Sequence, residues 1–343
     1  MQKLFNDAKT IVDESIIGFV KCYKKDVVHT QCNRTLKYIK APISGKVGVV
    51  SGGGSGHDPA FMGYIGKNML DAVAIGDTFT PPSVESFYNA FKEADAGVGV
   101  VCIYGNYPLD TESVEAAIRI AEKEGINVKT VVVNEDVATS EPETRRGMTG
   151  EVLLWKISGA AAAMGYDLER VLAVSEKALG RMRSIGVGLA SCINPEVGRP
   201  NYLIELGTME IGVGHHGFSS KDTCKLKTAD ESADIMLDEI LKDIPLEQGG
   251  KVAVMISGLG NTMICEMNML YSRIYDSLSA NGVDIHRAFI GDYFTSLDMM
   301  GVTLSILNLD NELEQLLDFP AYPVAFSEFS GCCENEKSKG GEQ

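Results

Sequence analysis

Four glycines between Ser51 and His57, in the run Ser51-Gly52-Gly53-Gly54-Ser55-Gly56-His57-Asp58-Pro59, follow directly on the apolar stretch Lys46–Val50. Glycine reaches backbone conformations closed to other residues and leaves room for close approach. The pattern therefore predicts a buried strand ending in a turn whose N–H groups converge on an oxygen-rich ligand. His57 sets a titratable ring at the end of that turn. The same pattern also serves a plain strand-to-helix connection. It does not encode a nucleotide P-loop, because His57-Asp58 stands where a Lys-Ser/Thr pair would have to reach phosphate and Mg²⁺.

Around this turn the first half alternates short apolar runs with helical patterns, the rhythm of a layered α/β fold with a largely parallel sheet. Strands are predicted at Val47–Val50, Ala72–Ile75, Gly99–Tyr104 and Lys129–Val133. Helices are predicted at Ser83–Ala94, Thr111–Glu124, Gly150–Met164 and Leu168–Ser184, the second of them opening with Asp110-Thr111 as a cap and ending at Gly125. Texture changes at Gly186–Gly198, where glycines and a proline interrupt the alternation. Beyond it, Asn201–Gly214 reads as strands, Asp230–Asp243 as a helix, Lys251–Ser257 as a strand entering Gly258-Leu259-Gly260-Asn261, and Met263–Asn281 as a long helix. Ile285–Ile290 and Val302–Leu307 read as a pair of strands. The expectation is two layered α/β domains, residues 1–185 and 186–328, with the active site between them at loops following strand C-termini, and a disordered tail over 329–343.

A chain of 343 residues with 45% apolar content is long enough for two cores. Its net charge of −16 argues against direct nucleic-acid binding and against adhesion to an anionic membrane surface, both of which are built from clustered Lys and Arg. No basic head precedes an apolar run at the N-terminus and no stretch approaches the roughly 18 apolar residues of a membrane span, so a cytoplasmic protein is expected. Cys22, Cys32, Cys102, Cys192, Cys224 and Cys265 are scattered, Cys332-Cys333 lie in the polar tail, and structural disulfides are not expected. The five histidines have no companions at metal-ligand spacing, and no metal site is assigned.

Ionisable residues stand out where the chain has just left a strand and is bracketed by glycine or proline. They are His57, Asp110 after Tyr104-Gly105-Asn106-Tyr107-Pro108-Leu109, and His215-His216 inside Ile211-Gly212-Val213-Gly214-His215-His216-Gly217. In open α/β sheets, loops at strand C-termini form the ligand crevice, where these groups would converge. Asp110 fits either a helix N-cap or a site carboxylate. Histidine flanked by glycine is seldom needed for packing, which favours a chemical role for the pair. His29 and His286 show no such context and read as ordinary residues.

The stretches Ser51–Pro59, Gly63–Gly66, Val133–Ala138, Arg145-Arg146-Gly147, Lys156–Ala163, Met209–Gly217, Ser257–Asn261 and Thr295–Met299 together resemble the dihydroxyacetone kinase K-subunit family, in family order and over nearly all of the chain to about residue 328. The resemblance implies a subunit that binds dihydroxyacetone, or a related short ketose, as a covalent hemiaminal on His216. It implies substrate contacts from Gly54, Ser55, Gly56 and His57, with Asp110 as the base for the attacking hydroxyl and His57 beside it. His215, an extra imidazole next to the nucleophile, is expected to bind substrate or to shift the pKa of His216. The chain resembles the stand-alone subunit: it binds no cofactor itself, and phosphoryl comes from a nucleotide on a separate L subunit recharged by the phosphotransferase system. A homodimer is implied as well.

Three departures sit close to this chemistry. A lysine common in the family before Asn-Tyr is Gly105, Thr-Gly-Asp becomes Pro108-Leu109-Asp110, and His-Gly-Glu-Pro-Gly becomes His216-Gly217-Phe218-Ser219-Ser220. Loss of the ammonium removes a charge-assisted hydrogen bond worth about 1.5–3 kcal/mol. The departures leave open a kinase subunit for a four-carbon ketose such as erythrulose, or a ketose-binding transcriptional coactivator without catalysis.

Overall fold

The computed structural model describes residues 3–200, 202–216 and 220–326. The expected disorder of 329–343 and the departures at Phe218 and Ser219 lie outside them. The first half contributes helix α1 (Ile11–Cys22), strands β1 (Val27–His29), β2 (Thr35–Tyr38), β3 (Gly48–Ser55), β4 (Gly66–Lys67) and β5 (Ala72–Thr78), then α2 (Val84–Ala94), β6 (Val100–Gly105), α3 (Pro108–Lys123), β7 (Val128–Val133), α4 (Glu151–Ala163) and α5 (Leu168–Gly180). The second half contributes β8 (Met182–Ala190), β9 (Thr208–Ile211), β10 (Asp222–Lys225), α6 (Ala229–Asp243), β11 (Lys251–Gly258), α7 (Ile264–Ala280), β12 (Asp284–Gly291), β13 (Met300–Leu309), α8 (Asn311–Asp318) and β14 (Tyr322–Pro323).

Two six-stranded sheets result, ordered β1-β2-β5-β3-β6-β7 and β10-β9-β8-β13-β11-β12, with β14 paired to β4. The fold is α/β in two layered sheet units, as expected. In the first sheet β5, β3, β6 and β7 run parallel and β1-β2 add an antiparallel edge. Side chains alternate between its faces: Val50, Val100 and Cys102 pack with Phe87, Phe91 and Ala117 of α2 and α3, while Val49, Val101 and Ile103 face α4 and α5. Along β11, Val252, Val254 and Ile256 face α6 and α7, whereas Ala253 and Met255 join the first unit's core. One apolar layer is therefore continuous between the two sheets. Helix α4 lies within it, buried from Glu151 through Ala162, which explains a sequence that is apolar on every side.

Several expectations are corrected. The helix expected over Leu168–Ser184 stops at Gly180; the next residues form β8, whose polar side chains find specific partners, Ser184 with Ser305 and Arg183 with Asp243. Within Asn201–Gly214 the strand is Thr208–Ile211. Ile285–Ile290 and Val302–Leu307 do not pair with each other, because β11 lies between them, parallel to β12 and antiparallel to β13. Helix α3 begins at Pro108 with Tyr107 as its N-cap, so Asp110 sits inside the first turn rather than at the cap. Strand β8 runs across residues 185 and 186 and pairs with β9 and β13.

Candidate active site

The strand expected to end at Val50 continues through Gly52–Gly54 to Ser55, because Gly52 and Gly53 pair with Ala74 and Ile75 of β5; the glycine run is thus the C-terminal part of β3 rather than a turn. A side chain at Gly53 would place Cβ 2.3 Å from the Phe61 ring, so glycine alone lets that ring pack directly against the strand. His57 follows, buried, with Nδ1 2.8 Å from the carbonyl oxygen of Thr295. A carbonyl only accepts, so the hydrogen-bond network assigns the His57 proton to Nδ1 and leaves Nε2 as an acceptor. That Nε2 lies 3.1 Å from Nε2 of His216, which then carries the donated hydrogen.

His216 reaches this point on the loop after β9. Arg146 ties the loop down, donating to the Gly212 carbonyl at 2.8 Å while pairing with buried Asp136 at 2.6 Å. Its guanidinium lies so close that a Cβ at Gly214 would meet Nη1 at 2.6 Å. The His216 ring packs among His57, Phe79 and Tyr107, with ring centroids 4.9–5.1 Å away. Burial, and then the Arg146 charge, push its pKa down to about 4. Burial and the His216 ring push His57 down to about 3. Both rings are neutral at ordinary pH.

Asp110, in the first turn of α3, lines the same small cavity that His57, His215 and His216 border. Burial pushes its carboxyl up to about 7. A neutral imidazole with an aligned proton acceptor and a carboxyl poised near neutrality can add to a carbonyl carbon and remove a hydroxyl proton.

The structure thus brings together Gly54, His57, Asp110, His215 and His216. Ser55 and Gly56 lie on the other side of the glycine run: the Ser55 hydroxyl donates to the Gly76 carbonyl at 2.7 Å, and both residues line a neighbouring cavity with Ile11 and Leu297. The His215 ring is stacked on Phe294 with centroids 4.4 Å apart, and its Nε2 meets the Thr149 hydroxyl at 3.1 Å. It forms a wall of the cavity, and burial lowers its pKa well below the usual histidine value. At Gly105 a Cβ would meet the Tyr107 ring at 3.0 Å, so that ring occupies the space a longer side chain would need.

Cavity residues missed in the sequence include Phe61, Phe294 and Glu151. Phe294 is held by Ser257, whose hydroxyl accepts from the backbone N–H groups of Tyr293 and Phe294. Glu151 opens α4 and is 2% exposed; a lone acid at the head of an apolar helix was the available signal. Among the described residues no cluster of His, Cys, Asp and Glu is arranged to hold a metal ion, and no helix is long and apolar enough to cross a membrane.

Residues 17–325 match the Dak1 domain. The dihydroxyacetone-binding subunit DhaK of the PTS-dependent dihydroxyacetone kinase 1 of Listeria innocua is 38% identical over 330 residues, covering 95% of this chain and 100% of that one. The L-erythrulose 1-kinase of Mycolicibacterium smegmatis is 35% identical over 333 residues, covering 95% of this chain and 58% of that one. Among solved structures, the dihydroxyacetone kinase operon co-activator Dha-DhaQ superposes with a TM-score of 0.86 at 25% identity, over 91% of this chain and 97% of its own. Matched in sequence and in architecture along almost its whole length, the chain belongs to the Dak1 domain family.

Proposed function

We propose that this protein is the ketose-binding subunit of a dihydroxyacetone-type kinase, a phosphotransferase that takes phosphoryl from a nucleotide on a separate L-type subunit. The observation that carries the reading is the 3.1 Å contact between His57 Nε2 and His216 Nε2, with the His57 tautomer fixed by Thr295 and with Asp110 in the same cavity.

As a ring nitrogen of His216 bonds to the ketone carbon, His57 Nε2 takes the ring proton. It returns that proton to the former carbonyl oxygen, so an N–H and a C=O become an N–C–O–H hemiaminal. An alcohol has no electrophilic carbon for this addition, so a polyol such as glycerol is rejected by reactivity rather than by shape. Asp110 then accepts the proton of the ligand hydroxyl as its oxygen attacks the phosphorus, and the nucleotide leaves one phosphate shorter. Substituting Asp110→Asn removes the base without changing size. Ketose binding should survive and turnover should fall by 10²-fold or more. His216→Ala should abolish the covalent adduct, seen as loss of the sp³ carbon signal with carbonyl-labelled dihydroxyacetone. Full turnover in Asp110→Asn, or an adduct in His216→Ala, contradicts these roles.

Likeness to the co-activator Dha-DhaQ supports a second reading, in which bound ketose changes affinity for a DNA-binding partner. A homodimer fits both readings, and the exposed apolar side chains of Leu203, Leu206 and Leu226 offer surface for one. Sedimentation velocity measures it.

A further inference from the structure

Resting on the ketose-binding reading, we infer that Glu151 is a specificity-determining residue, whose carboxyl hydrogen-bonds a ligand hydroxyl on the Gly105 side of the cavity. It thereby selects neutral ketones hydroxylated on both sides of the carbonyl over ketones hydroxylated on one side.

Two buried acids of the first half differ in how far the fold employs them. Glu135 is fully employed by the fold: its oxygens accept from the Met148 N–H at 3.0 and 3.1 Å and from the Ser184 hydroxyl at 3.2 Å. Glu151 is as deeply buried but more loosely held, by the Ser51 hydroxyl at a long 3.4 Å to Oε1 and by the Trp155 side chain, which leaves part of its hydrogen-bonding capacity for a ligand. Its Oε2 lies on the Gly105 side of the cavity, 3.6 Å from where a Cβ would stand at that glycine and beside the Tyr107 ring. The same side chain lines the cavity with His216 and Asp110. A buried carboxyl with spare hydrogen-bonding capacity costs stability unless a ligand group completes it.

Electrostatics support this placement. Burial, followed by the charges of Glu135 and Asp110, raises the Glu151 pKa well above the usual carboxyl value, which favours the protonated form, able both to donate and to accept. No Lys or Arg side chain lines the cavity among the described residues, and the nearby Arg146 is already paired with Asp136, so the lining favours a neutral ligand over an anionic one such as a phosphorylated ketone. A role confined to the fold, as an acid in the first turn of α4, would affect stability without reading the ligand.

Discrimination between dihydroxyacetone and hydroxyacetone tests the inference, with each adduct titrated by NMR using the carbonyl-labelled ketone. Wild-type protein should bind dihydroxyacetone at least tenfold more tightly, because a site built to bond a hydroxyl rejects the analogue lacking it. Glu151→Met, which keeps length and helix propensity, should weaken dihydroxyacetone about tenfold and leave hydroxyacetone within about twofold, while Glu151→Gln retains the preference. An unchanged ratio in Glu151→Met overturns the inference. So does equal affinity for both ketones in the wild type, a result that does not depend on any variant folding. A wild-type protein that forms no adduct with either ketone instead overturns the ketose-binding reading beneath it.

Discussion

His57 and His216 differ from Asp110 in the direction their surroundings push them, and that difference sets the pH behaviour. The two rings, held near 3 and 4, keep their lone pairs available down to about pH 5, whereas Asp110, raised to about 7, is a competent base only above that value. Adduct formation should therefore be flat from pH 8 to 5. Turnover should fall about tenfold per unit below pH 7, and parallel adduct and rate titrations on one preparation check both limbs. A common acid limb would mean that the adduct and the transfer titrate on the same group. These three residues were legible in the sequence because each sits just beyond a strand among glycines or prolines, a setting that packing rarely demands. Glu151 was not legible, since the first residue of a helix reads as an ordinary dipole partner until the helix is seen to be wholly buried.

Among the elements, β3 tolerates little change along its glycine run. Gly53→Ala would drive a methyl group into the Phe61 ring, and overpacking of this kind costs about 1–3 kcal/mol. Denaturant melts should show that loss, and the adduct should weaken with it because Phe61 lines the cavity. A variant with wild-type stability and binding would show that the ring can move away freely. Strand and helix periods revealed the parallel core of the first sheet, where buried runs and amphipathic helices alternate. They failed where long-range pairing decides. Residues 182–184, with Met182 the one apolar side chain among them, carry no period of their own and become strand through pairing with Leu307, Ile306 and Ser305 of β13. Likewise β12 and β13 are separated by β11, and no local signal reports which strand lies between two others.

At the scale of the molecule, the apolar layer between the sheets joins the two halves. Trp155, the single tryptophan of the chain, is buried there with ring neighbours Phe61, Tyr64 and Phe294 at 5.0–6.1 Å, drawn from both halves. A shared core predicts one cooperative unfolding transition, with Trp155 fluorescence and far-UV circular dichroism changing together in urea. Two separated transitions would show that the halves fold as independent units. Joining the halves also places His57 from the first against His216 from the second, so the site exists only in the assembled molecule. The kinase reading is tested most directly by phosphorylation of dihydroxyacetone and the erythruloses. The assay reconstitutes this protein with its own genome's L and M subunits, the general phosphotransferase proteins and phosphoenolpyruvate, beside a known K subunit as control. A phosphorylated ketose should form and should disappear with Asp110→Asn; no product from any ketose, while the control K subunit turns over with the same partners, rules the kinase reading out.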